Sequence, residues 1–169
     1  MIAPTQSTER LTLRMPGPQD FDAQAAFLAS DRSGFVGGPM AAGAAWRALA
    51  QMIGHWTLRG FGMWAVTLKG EDRAVGLVGH YFPIDWPERE VGWHIWEPAV
   101  EGKGYAYEAA VAARNHAFDS LGRSTAVSYI NPANQRSIAL AERMGAVRDE
   151  LAPVPAIDPV LVYRHARAG

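Results

Sequence analysis

The chain has 169 residues, 49% hydrophobic and 20% charged, with a net charge of -1 and no cysteine. That length fits one domain with a real core, and the near-neutral charge gives no overall basic field to recruit nucleic acid or an acidic membrane. Disulfides, thiolate metal sites and a cysteine nucleophile are excluded, and no apolar run reaches the length of a membrane span or a signal-peptide core, so a cytoplasmic protein is expected.

Residues 10–15 alternate, with Leu11, Leu13 and Met15 on one side, and predict a half-buried strand. Asp20 can open a helix through Phe21, Phe27 and Leu28, and the glycines and proline of 32–39 mark a loop. Over 41–58, Trp46, Leu49, Ile53 and Trp56 recur at three- and four-residue steps, one stripe of a helix. Residues 63–68 and 74–82 read as a hairpin of strands, and 89–96 as a third strand. Gly92 lies inside that strand, where a glycine often marks a bulge or a close approach. A helix over about 104–121, a strand over 124–130, a loop and helix stopped by Gly145, and two closing strands complete a mixed α/β sheet.

The stretch "EGKGYA" before the 104–121 helix raises the first chemical question. A helix N-terminus offers unpaired N–H groups and roughly half a positive charge. Gly102 and Gly104 let an anion approach them, and Lys103 adds a formal charge. The loop therefore suits phosphate. It is neither a Walker loop, since Gly104 and Tyr105 follow the lysine, nor a dinucleotide fingerprint, since Tyr107 stands at the third glycine.

The segment "VGWHIWEPAVEGKGYAYEA" resembles the acyl-CoA motif of the Gcn5-related N-acetyltransferases, whose core signature is Gln/Arg-x-x-Gly-x-Gly/Ala. Gly104 and Ala106 match it; Glu101 departs, a carboxylate where the family usually has Gln or Arg. Such a residue leaves the loop working if it turns outward or pairs with Lys103. "ERLTLRMPGPQDFDA", "GFGMWAV" and the Asn-x-x-Ser stretch "NPANQRSIALAERMGA" are similar to the subgroup that includes ribosomal-protein N-terminal acetyltransferases. The resemblance runs in order along nearly the whole chain. It implies a single α/β domain over 1–169, with a mostly antiparallel sheet splayed at a central bulged strand and helices on both faces.

The resemblance also implies a V-shaped cleft for acetyl-CoA. Pantetheine amides pair with backbone around His94, Ile95 and Trp96, and the pyrophosphate sits on the amides of Glu101, Gly102, Lys103, Gly104, Tyr105 and Ala106. Asn134, with Asn131 as the lesser candidate, meets the pantetheine arm; Asn134 is equally suited to cap a helix. The acceptor amine, with a pKa near 10.4 if lysine-like, must lose a proton before it attacks. Glu90, at the start of the bulged strand, is the first candidate for the base, and His80 on the adjacent strand the second. His94 is a third. Ser137 is the candidate acid for the leaving thiolate. Arg136 faces phosphate or solvent. Trp86, Trp93, Phe35 and Tyr81 are candidates for an apolar substrate wall. No histidine pair has metal-ligand spacing.

The function so implied is direct acetyl transfer from acetyl-CoA to an amine of a small molecule or a protein N-terminus. A homodimer is compatible with it. A non-catalytic CoA-binding sensor or interaction module on the same fold is the alternative, and a nucleotide-binding α/β protein the third reading.

Overall fold

The computed structural model describes residues 3–157 and 159–167; residues 1, 2, 158, 168 and 169, which the expected 1–169 domain includes, lie outside them. Eight strands form one sheet: β1 (Gln6–Ser7), β2 (Leu11–Arg14), β3 (Met63–Leu68), β4 (Ala74–Tyr81), β5 (Glu90–Ile95), β6 (Ala126–Ile130), β7 (Val147–Arg148) and β8 (Leu161–His165). Their order in the sheet is β1-β2-β3-β4-β5-β6-β8-β7. Every neighbouring pair is antiparallel except β5 and β6. The helices are α1 (Phe21–Leu28), α2 (Ala42–Arg59), α3 (Tyr105–Asp119) and α4 (Gln135–Arg143), with short 3-10 turns at Pro18–Asp20, Asp31–Val36 and Pro98–Val100.

Alternation along the strands splits the core into two layers. Trp64, Val66, Val78 and Val91 pack with the α3 alanines Ala109, Ala110 and Ala113 on one face. Met63, Ala65 and Leu77 meet α1 and α2 through Phe27, Leu28 and Ala45 on the other. Helix α4 closes on Ile130 and Tyr163 through Ala141. The buried residues of α2 are Ala45, Leu49, His55 and Trp56, so the predicted stripe holds at Leu49 and Trp56 and fails at Trp46. Trp46 stays 53% exposed and rests its ring edge on Phe21, so the helix is turned from the tryptophan toward the alanine.

The bulge lies elsewhere than Gly92 suggested. β5 pairs with β4 without a shift from Gly76↔Ile95 to Tyr81↔Glu90. The register changes between β3 and β4, where Val66 and Thr67 oppose Gly76 and Ala74 and Val75 is the extra residue.

The splay is where it was expected. β5 and β6 share one ladder pair, Glu90↔Val127, with Val127 N–H donating to Arg89 C=O at 3.1 Å. One residue further, a side chain takes over: the Ser128 hydroxyl donates to Val91 C=O and lies 2.9 Å from His165 Nε2. Beyond that fork the strands part. Val91 C=O faces β6 while Trp96 N–H turns back to Val75. Alternation then aims the backbone groups of Trp93 and Ile95 into the gap.

Among the described residues, no helix is long and apolar enough to cross a membrane.

Candidate active site

The gap opens into a cleft of about 720 Å³. Leu28, Phe35 and Met52 line it from the α1–α2 side, Tyr81, Glu90 and His94 from the sheet, and Ser137 from α4. Trp86, Trp93, Phe35 and Tyr81, expected as a substrate wall, all reach it.

Glu90 is the polar centre of this cleft. Its carboxylate accepts a 2.7 Å hydrogen bond from Trp86 Nε1. Burial pushes its pKa up to about 7, against the opposing pull of the Trp86 bond and the Tyr129 backbone. Trp86 is itself braced, edge-on, by Tyr81 and Tyr129 at 5.3 and 6.3 Å. The Tyr81 hydroxyl accepts from Gln51 at 2.8 Å.

His80 is not part of this group. It precedes Tyr81 on β4, so its side chain points to the opposite face, against Trp64 and α3. It is fully buried, and its Nε2 lies 3.0 Å from His116 Nδ1. Arg123 approaches its Nδ1 at 3.5 Å, so both ring nitrogens have neighbours inside the protein. Burial holds it well below the usual histidine range. His94 does line the cleft, but burial lowers its pKa to about 4. Its Nδ1 accepts from Trp96 Nε1 at 2.9 Å, and its ring stacks on Phe27.

Across the cleft, the Ser137 hydroxyl accepts from Trp93 Nε1 at 3.1 Å, which leaves its own proton available. Asn134 caps α4: its Oδ1 accepts from Ser137 N–H at 3.2 Å. The cap uses the oxygen and leaves the amide NH₂ for a ligand. Asn131, also on the cleft wall, closes a turn by accepting from Ala133 N–H at 2.9 Å. Glu88 is bound to Arg164 at 2.8 Å, and Asp85 is exposed.

The loop at the other end of β5 has the geometry an anion needs. Gly102 and Gly104 take φ of 73° and 82°, left-handed values that favour glycine and turn the chain into α3. Below it, Glu108 ties the first turn of α3 to the sheet edge, accepting from Thr8 at 2.6 Å and from Arg10 Nε at 2.7 Å. Arg10 also donates to Lys103 C=O at 2.9 Å and covers the Tyr105 ring. Lys103 is exposed, and Ala106 lies in the first turn of α3. Sequence reading missed Arg10 and Glu108 because they are nearly a hundred positions apart.

Glu101 neither pairs with Lys103 nor turns outward. One carboxylate oxygen meets Arg32, from the loop after α1, and the other meets Arg136, in the first turn of α4, at 2.6 Å. Arg32 also donates to Trp96 C=O and, at 3.3 Å, to Ile95 C=O. Partial burial pushes the Glu101 carboxyl up, and the two arginine bonds outweigh it, leaving the group below the usual carboxylate range. Two cations around one anion give this cluster beside the glycine loop a net positive charge despite Glu101.

A sheet forked beside a glycine-lined helix N-terminus, with one carboxylate in the cleft, is the arrangement that the comparisons with known proteins place in one class, the acetyltransferases. Residues 10–147 match the family model described as an acetyltransferase (GNAT) domain. An acetyltransferase from Agrobacterium tumefaciens str. C58 is 41% identical, with 97% of this chain and 95% of that one aligned at a TM-score of 0.91. A GNAT-family acetyltransferase from Bacillus anthracis shares the fold at 22% identity and TM-score 0.78, over 96% of this chain and 98% of that one. So does a ribosomal-protein-S5-alanine acetyltransferase from Vibrio fischeri, at 14% identity and TM-score 0.71, over 97% of each. The chain belongs to the GNAT acetyltransferase family.

Proposed function

We propose that this protein transfers an acetyl group from acetyl-CoA to a primary amine by direct attack, with Glu90 as the base. The observation that carries the reading is the Glu90 carboxyl, raised to about 7 within the same cleft as Ser137. A base is most useful when its pKa lies near the working pH.

The residues fit the donor. The Trp93 and Ile95 backbone edge is free of β6 and suited to pair with an amide-bearing arm. Glycines 102 and 104 and the α3 N-terminus suit a diphosphate. Arg32 and Arg136, held by Glu101, add charge beside it. When bound, acetyl-CoA supplies an activated acyl carbon. Glu90 takes a proton from the ammonium of the acceptor. The freed lone pair forms the N–C bond as the C–S bond breaks. Ser137 gives its proton to the leaving sulfur and takes up the second proton of the attacking nitrogen, which leaves a thiol and a neutral amide. Trp86 and Trp93 hold these two groups in place through their indole N–H bonds. A cytoplasmic location is part of this reading, since the reaction consumes acetyl-CoA as a co-substrate.

A thermal-shift titration tests the donor half. Ligand at a hundredfold excess over its Kd stabilises the fold by about 2.7 kcal/mol. Acetyl-CoA and CoA should both raise the melting temperature, and ATP should not. No rise with millimolar acetyl-CoA sinks the proposal.

Replacing Arg32 and Arg136 together with alanine should raise the KM for acetyl-CoA about 10- to 100-fold, as expected when charge-assisted bonds are lost and Glu101 is left facing phosphate. The kcat should change little. An unchanged KM means that the arginines serve only Glu101.

A further inference from the structure

Three guanidiniums gather at the opposite end of β5 from the glycine loop. Arg59, at the end of α2, and Arg89, just before β5, both lie against the Phe82 ring, 4.9 and 5.3 Å from its centroid. Arg123 lies 4.3 Å from the centroid of Phe61. Burial, and then the charge of Arg89, bring the Arg123 pKa down to about 10. Its Nη2 is buried without a hydrogen-bond partner. His55, His80 and His116 beside it are all pushed toward the neutral form by burial.

Among the described residues Arg47, Arg114 and Arg143 make no ion pair, but most arginines elsewhere in this protein find a carboxylate. Arg10, Arg14, Arg32, Arg73, Arg136 and Arg164 each do. Among the described residues, Arg59, Arg89 and Arg123 make no ion pair. Glu88 is taken by Arg164 and Glu90 by Trp86. Gathering like charges without a counter-charge works against the folded state, so an anion from outside fits here.

Position says which anion. Tyr81 and Glu90 are ladder partners and both line the cleft. Phe82 and Arg89 are the next residues outward, so the cluster borders the acceptor's end. The glycine loop lies past the other end of this six-residue strand, about 20 Å away at roughly 3.3 Å per residue, beyond reach of donor phosphates held there. Alternation also puts Arg89 on the opposite side of the hairpin from Glu90. A small amine seated at Glu90 ends before it gets there; an extended chain can turn the corner.

We propose that the exposed Arg59 and Arg89, with the buried charge of Arg123 behind them, dock the acidic stretch of a polypeptide whose N-terminal amine is the acceptor. This rests on the transferase reading above. The amine sits at Glu90, the first residues pass the 83–88 loop, and Asp or Glu about three to five residues in meet the two exposed guanidiniums, at roughly 3.3 Å per extended residue. Polycationic amines are repelled by the same cluster.

The test uses two labelled hexapeptides with the same first two residues, followed by four Glu or four Lys, measured by fluorescence anisotropy without donor and by acetylation with it. The acidic peptide should bind about fivefold more tightly, the sum of two exposed ion pairs. The preference should shrink with salt, vanish in the Arg59→Ala/Arg89→Ala double variant and reverse in Arg59→Glu/Arg89→Glu. Both positions are exposed, and a melting curve checks that the variants fold. Equal binding of the two peptides overturns the proposal. So does displacement of the acidic peptide by inorganic phosphate or a short single-stranded oligonucleotide at matched charge, which makes one of those the occupant. An acidic peptide that binds but is never acetylated removes the transferase reading and leaves the docking site. Acetylation of amines with no peptide preference does the reverse.

Discussion

Glu90→Gln lowers kcat by about 100- to 10,000-fold, the range general-base catalysis supplies, while acetyl-CoA still binds. The amide keeps the carboxylate's shape and can still accept from Trp86, so the cleft stays intact and only proton transfer is lost. The wild-type pH profile carries the signature. Glu90 acts as a base only when ionised, so kcat rises as pH passes through about 7 and then levels, and that limb disappears in the variant. Stability moves the other way. A carboxyl whose folded pKa is raised contributes its stability below the unfolded value near 4.3 and loses it as pH rises through the folded one. The glutamine variant is therefore at least as stable as wild type at pH 8. Steady-state rates across pH 5.5–9, paired with urea melts at pH 8, check both. A variant that retains more than about a tenth of wild-type kcat removes Glu90 from the base role.

Trp64→Ala destabilises the fold by about 3–5 kcal/mol, the range for truncating a buried Trp to Ala. That is a large share of the roughly 5–15 kcal/mol a native domain has. Trp64 is fully buried, its ring set against Trp56, His80 and His116 at 5.2, 5.4 and 5.0 Å. Its indole N–H donates to Pro4 C=O at 2.8 Å, so truncation also leaves that carbonyl without its donor. Urea denaturation followed by circular dichroism gives the value. Trp64→Phe, which keeps a ring and loses the N–H, should fall between. A loss below about 1.5 kcal/mol means the layer collapses into the space and the tryptophan is not its keystone.

Much of this molecule was legible from local pattern. Period-two strands and the glycine-rich head of α3 need only a few neighbouring residues to be recognised, and the family resemblance supplied their order. Trp86, Trp93, Phe35 and Tyr81, candidates that sequence alone does not separate from core, all line the cleft. What escaped depends on residues distant in sequence. His80 looked available until the face occupied by Tyr81 assigned it to the other side. The partners of Glu101 are 69 and 35 positions away, and no spacing rule finds them. Gly92 suggested a bulge that is made one strand over, at Val75, because a glycine inside a strand marks close approach as readily as an extra residue. The turn of α2 toward Ala45 was hidden for a related reason: periodicity gives the angle between residues of a stripe, and only packing says which residue faces in.

The fork at Ser128 has a consequence for endurance in a cell. The sheet is one body by strand order, yet among the described residues β5 and β6 share a single ladder pair and one hydroxyl bond, and side-chain bonds such as Glu88–Arg164 and Trp93–Ser137 make the other links between the halves. On the proposed reading, a guest molecule whose amides lie along Trp93 and Ile95 adds rungs where the ladder stops. On that reading, resistance to proteases rises with the supply of that guest, and limited proteolysis with and without acetyl-CoA measures it.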